Sequence, residues 1–144
     1  MSLLDDQNLI EIKLYYKYSV VGSGKRLVIL EDKKVQELLN DPAQSDSVET
    51  LETNWSLLTW KEQNEVMNLS SQAVNQQTGE RQFNFLAYRD AIIKRCLRNW
   101  NITINEKPVP VSPDAIDKLP GPVVTSLYQK FESLIDYSEK ELGN

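Results

Sequence analysis

The sequence contains no histidine and a single cysteine, Cys96. A disulfide needs two thiols, and histidine is both the side chain that titrates near neutrality and a common zinc ligand. A triad or acid–base pair built on imidazole is therefore excluded, and so is a cysteine nucleophile activated by one. The expectation is a non-enzymatic protein with no cofactor, no catalytic residue and no metal site. Long apolar runs are missing too. No stretch approaches the roughly 18 apolar residues of a membrane span, and the N-terminal MSLLDDQNLIEI has no basic segment leading into an apolar one. These absences point to a cytosolic chain with no membrane partner, in which the sequons at Asn54, Asn68 and Asn101 are chance matches. Positive charge is scarce: 16 Lys and Arg against 21 Asp and Glu leave a net charge of -5. Such a surface repels a phosphate backbone and argues against nucleic acid as a partner.

What is present is ordinary globular material. The 144 residues are 40% hydrophobic and 26% charged, enough for one domain with a core that needs no staples. From Leu9 to Val20 the chain alternates: Ile10, Ile12, Leu14, Tyr16, Tyr18 and Val20 fall on one side of a strand buried on one face. Gly22-Ser23-Gly24 supplies a turn and Arg26 to Leu30 a returning strand. EDKKVQELLN reads as a short helix with Val35, Leu38 and Leu39 on its apolar side, and DPAQSDSVET as a linker. Val48, Leu51, Trp55 and Leu58 recur at spacings of three and four, which predicts a helical or semi-helical approach to the capping box Thr59–Glu62. A helix from Trp60 to about Val74 follows, with Trp60, Met67 and Val74 spaced by seven.

Asn84 caps a central helix in which Phe85, Leu86, Ile92, Ile93, Cys96, Leu97 and Trp100 share one stripe. Arg89 is the one cation projected into that stripe and needs a carboxylate partner or a route to solvent. NITINEKPVPV reads as a small hairpin around Asn105-Glu106. Ser112 and Pro113 open a short helix, and Val123, Val124, Leu127, Phe131, Leu134 and Ile135 mark a final amphipathic one. The expected fold is α+β and mainly helical: an N-terminal β-hairpin, three to five helices, and a small second hairpin between the central and C-terminal helices. By segment, residues 1–40 form the hairpin and short helix, 41–50 the linker, and 51–144 a helical body, all in one compact domain.

Few residues invite chemistry. Gly22-Ser23-Gly24-Lys25 lacks both the glycine spacing and the hydroxyl residue of a phosphate-binding loop, so a hairpin turn accounts for it. Asp114 and Asp117 suit a first helical turn better than a metal. Lys94, Arg95 and Arg98 lack the interleaved aromatics of a nucleic-acid surface; a solvated face or salt bridges to a neighbouring acidic subunit fit them better. Cys96 on the apolar stripe reads as a small buried hydrophobe. Trp55, Trp60 and Trp100 are candidate partner anchors, with core packing the competing role for at least two of them. With Arg89, Leu127 and Phe131 they make up the candidate partner-binding set.

The run WSLLTWKE from Trp55 to Glu62, the KRCLRNWN segment from Lys94 to Asn101, and KPVPVSPDAIDKLPGPVVTSLYQKF from Lys107 to Phe131 resemble the tail assembly chaperones of tailed bacteriophages. The resemblance spans about Trp55 to Phe131, just over half the chain. It implies a protein of the host cytoplasm that binds the tape-measure protein, keeps it soluble and helps tail-tube subunits assemble around it. It carries no site motif to particular residues. A homo-oligomer is a further expected assembly. The alternative is a structural component of the phage tail, baseplate or neck that stays in the virion.

Overall fold

The computed structural model describes residues 3–4 and 8–142, with the side chains of 73–74 and 136–142 outside the description. In chain order the elements are β1 (Ile10–Val21), β2 (Gly24–Leu30), α1 (Asp32–Leu39), β3 (Glu49–Trp55), α2 (Trp60–Ser70), β4 (Ala73–Val74), β5 (Arg81–Gln82), α3 (Phe85–Cys96), β6 (Leu97–Trp100), β7 (Thr103–Ile104), β8 (Lys107–Pro108), α4 (Pro113–Asp117) and α5 (Gly121–Leu142). Four strands form one antiparallel sheet in the order β2-β1-β3-β6, while β4-β5 and β7-β8 are two-stranded ribbons.

The alternation of β1 sets the layers. Ile12 and Leu14 are buried on one face, where Leu51, Thr53 and Trp55 of β3 lie beside them. Against this face pack Val66 of α2, Ile92, Ile93 and Cys96 of α3, Ile116 of α4, and Val123, Leu127, Tyr128 and Phe131 of α5. The opposite face carries Glu11, Lys13 and Glu52, except where Val35 and Leu38 of α1 form a second small cluster with Leu30, Tyr15, Val28 and Val48. Toward its tip the β1–β2 ribbon outruns both layers, leaving Tyr18 and Val20 exposed. Gly22, with φ of 60°, takes the first central position of its two-residue turn, the place that calls for glycine in a type II′ turn.

The protein is mixed α+β rather than mainly helical, with 42% helix and 28% strand. Two stretches expected to be helical account for the difference. Val48 to Leu58 contains β3, a central strand between β1 and β6. Its inward residues are Leu51, Thr53 and Trp55, and the threonine hides the period of two behind an apparent spacing of three and four. The central helix ends at Cys96 instead of running to Trp100. Leu97 leaves the helical region at φ -70° and ψ 116°, and the chain pairs with β3 as β6. Leu97 and Trp100 fit a helical stripe on paper, but the open edge of β3 claims their backbone. Similarly, α2 stops at Ser70, and Ala73–Val74 pairs with Arg81–Gln82. The caps fall on Thr59 with Glu62, on Asn84 and on Ser112.

Asn101 closes the sheet with a side chain. Its amide oxygen accepts from the Glu52 N–H at 2.9 Å, its amide nitrogen donates to the Thr50 carbonyl at 3.1 Å, and its own N–H donates to the Glu52 carbonyl at 3.2 Å. The pairing of β6 is thus extended by a side-chain amide standing in for a peptide group.

Candidate functional site

An apolar groove of about 620 Å³ opens between α2, α3 and α5. Its floor is core: Val66, Ile92, Cys96, Tyr128 and Phe131. Its walls are side chains that the fold leaves open, Leu57, Met67, Phe83 and Phe85 among them. Trp60, one end of the apolar stripe that continues through Met67, is 76% exposed, and Leu86 beside Phe85 is also open. Large exposed apolar side chains around a concave apolar floor, as Leu57, Met67, Phe83 and Phe85 are here, commonly mark a binding surface.

The local causes can be followed residue by residue. The capping box at Thr59 starts α2 so that Val66 and Ser70 face inward, which turns Trp60 and Met67 toward the outside. Asn84 accepts from the Ala87 N–H at 3.1 Å and starts α3 directly between Phe83 and Phe85. Phe83 rests on Tyr88 with ring centroids 5.4 Å apart, and Phe85 meets the edge of Tyr128 at 6.4 Å. These aromatics are held in place yet remain about half exposed.

Ion pairs to α2 and to α4 hold α3 from either side. Arg95 pairs with Glu65 of α2 at 2.5 Å, and Lys94 pairs with Asp117 of α4 at 2.9 Å and with Asp90 at 3.2 Å. The hydrogen bond to Asp117 raises the Lys94 pKa most; desolvation opposes it, and the hydrogen bond to Asp90 adds a smaller upward push. Arg98 donates to the Ser56 hydroxyl at 2.8 Å. The basic cluster is therefore engaged within the chain rather than set aside for an acidic neighbour.

The structure divides the six candidate partner residues. Trp55 is fully buried, stacked on Phe131 at 4.8 Å, and its indole N–H donates to the Thr53 hydroxyl at 2.7 Å. Leu127 is core, and Phe131 reaches the groove only as part of its floor. Trp100 is half-buried, with its indole N–H donated to the Val109 carbonyl. Arg89 is half-buried on α3 and has no ion pair with another described residue. Only Trp60 stands open as an anchor. Leu57 and Phe83 carry no periodic signal in the sequence, and Met67 is marked only by its spacing of seven from Trp60, which does not distinguish an inward face from an outward one; the side chain of Val74 lies outside the described residues.

The groove has little capacity for covalent chemistry. Burial pushes the Cys96 thiol up to about 12, with the Glu62 carboxylate adding to the shift, so it stays protonated and unreactive. Among the described residues no group of three or more His, Cys, Asp and Glu side chains could hold a metal ion, and no helix is long and apolar enough to cross a membrane. Comparison with known proteins returns no matching family model, no similar curated protein and no similar solved structure.

Proposed function

We propose that this protein is a non-enzymatic assembly chaperone of a phage tail, which works in the host cytoplasm and holds an apolar helical segment of the tape-measure protein in the groove between α2, α3 and α5. The observation that carries this reading is the open apolar wall of Leu57, Met67, Phe83 and Phe85 over a buried floor. An amphipathic helix delivers side chains at i, i+3, i+4 and i+7 into such a trough, and the aromatic walls are the residue types that dominate binding energy. The resemblance of Trp55–Glu62, Lys94–Asn101 and Lys107–Phe131 to tail assembly chaperones suggests the client class. A long helical client exposes apolar stripes until the tube closes round it, and covering them keeps it soluble.

Co-expression with the tape-measure protein of the same phage tests the proposal. The wild-type chain is expected to raise the soluble yield of that protein, and a Met67→Asp/Phe85→Ser variant to lose most of the gain. Both positions are about half exposed, at 44% and 50%, so the variant should keep its circular dichroism and melt near the wild type. Equal soluble yield with the folded variant would overturn the groove as the client site. Purified particles should lack this chain; stoichiometric copies in them would favour a structural component of the tail, baseplate or neck.

A further inference from the structure

Beyond the groove, the sheet has an opening in its second row. The strand β2 pairs with β1 only from Tyr15 to Val21, whereas β3 pairs with β1 from Ile10 to Tyr16. Ile10 to Leu14 therefore has a neighbour on one side and, among the described residues, no strand on the other. The direction of its backbone groups follows from Asn101. Thr50 and Glu52 turn their backbone groups toward β6, where the Asn101 amide and backbone meet them. Antiparallel pairing alternates, so Leu51 and Thr53 face β1 and bond Leu14 and Ile12. Glu11 and Lys13, opposite Asn54 and Glu52, then point their N–H and C=O groups away from β3 into the opening. There lies a cleft of about 650 Å³, lined on its far side by Ser126, Gln129, Lys130 and Ser133 of α5 and closed at one end where β2 stops at Leu30.

We propose that this edge pairs with the same edge of a second copy, joining two sheets across a twofold axis at Ile12. The five residues Ile10-Glu11-Ile12-Lys13-Leu14 are a palindrome in hydropathy and in charge complementarity. Run antiparallel about Ile12, they set Glu11 opposite Lys13 of the second copy and Lys13 opposite its Glu11, with Ile12 opposite Ile12 and Ile10 opposite Leu14. The hydrogen bonding agrees with this register. Glu11 and Lys13 are the residues with outward backbone groups, and the two Glu11–Lys13 pairs would each exchange both N–H···O bonds, four in all. Within one copy the Lys13 ammonium already lies 3.4 Å from the Glu11 carboxylate, on the solvent face where the cross-strand pairs would form. A one-residue slip sets charge against apolar residue and exchanges the two faces, so the register is specified. The ribbon can extend no further, because from Tyr15 onward the row is already filled by Leu30 and the rest of β2. The dimer is therefore a short-edged, concentration-dependent one.

Sedimentation equilibrium of the full chain across a wide concentration range tests the pairing. The wild type is expected to show reversible dimers. Lys13→Glu and Glu11→Lys each set two pairs of like charge across the strands and should weaken dimerisation by about tenfold or more. The double exchange Glu11→Lys/Lys13→Glu rebuilds the palindrome and should restore it. A second measurement uses no substitution: amide hydrogen exchange at Glu11 and Lys13 should slow as the protein is concentrated. A wild-type chain that stays monomeric throughout, single variants that dimerise as before, a double exchange that fails to recover, or Glu11 and Lys13 amides indifferent to concentration would each overturn the proposal.

Discussion

Replacing Thr53 by valine should cost this protein a substantial part of its stability while changing almost no volume. The threonine is fully buried in the central strand, where its hydroxyl accepts from the Trp55 indole N–H at 2.7 Å and donates to the Ile12 carbonyl at 2.7 Å. Valine keeps the shape but removes both partners, because a methyl group neither donates nor accepts. The Trp55 N–H then lies in the core against Phe131 with no acceptor, and a buried unsatisfied group of that kind costs about 1–3 kcal/mol. The Ile12 carbonyl loses less, since it also faces β3 in the sheet ladder. Together the change should amount to roughly 2–4 kcal/mol, set against a total stability of about 5–15 kcal/mol for a domain. At this chain length that lowers Tm by roughly 5–15 °C. Urea unfolding followed by tryptophan fluorescence gives the value. Thr53→Ser keeps the hydroxyl and should cost only about 1 kcal/mol for the lost methyl group. In a Trp55→Phe background the valine change should become cheaper by about 1–2 kcal/mol, because no indole N–H remains to be orphaned. A Thr53→Val protein within about 0.5 kcal/mol of wild type, or one equally destabilised with and without the indole, would refute the reasoning.

Stability should also be lost at alkaline pH. Burial pushes both the Cys96 thiol and the Tyr16 phenol up to about 12, the latter with help from Glu49. Each group favours its protonated form more strongly in the folded state. Their contribution is therefore complete below the ordinary pKa values of about 8.5 and 10 and is lost as pH climbs toward 12. Urea midpoints should be level up to about pH 8.5 and fall beyond it, and Cys96→Ala should delay the onset; an unchanged midpoint up to pH 11 would contradict the burial of both groups. In the β7–β8 turn, Asn105 and Glu106 both have positive φ, 51° and 67°. Glu106→Gly should relieve the strain and raise stability by about 0.5–1 kcal/mol in the same unfolding assay, with no change in the groove.

Much of the local architecture was legible without coordinates because it depends on near neighbours. The alternation from Ile10 to Val20 needs only a period of two, and the caps at Thr59, Asn84 and Ser112 need only a side-chain oxygen three residues before a free N–H. The turn at Asn105-Glu106 and the burial of Cys96 on an apolar stripe belong to the same class. So does the absence of imidazole chemistry, which follows from composition.

What the chain could not reveal by itself is which backbone edges compete for a segment and which way an apolar residue finally points. Val48 to Leu58 has a helical spacing of apolar residues, yet β1 and β6 recruit it as a strand because a threonine hydroxyl can be buried once Ile12 and Trp55 satisfy it. Leu97 to Trp100 continues a helical stripe, yet the free edge of β3 draws it out of the helix. Trp55, Leu127 and Phe131 have the composition of anchors, and packing makes them core, while Met67 and Phe85 have the composition of core and are left on the wall of a groove. Hydropathy fixes that a side chain prefers to leave water. Only the tertiary arrangement decides whether its own chain covers it or leaves it open.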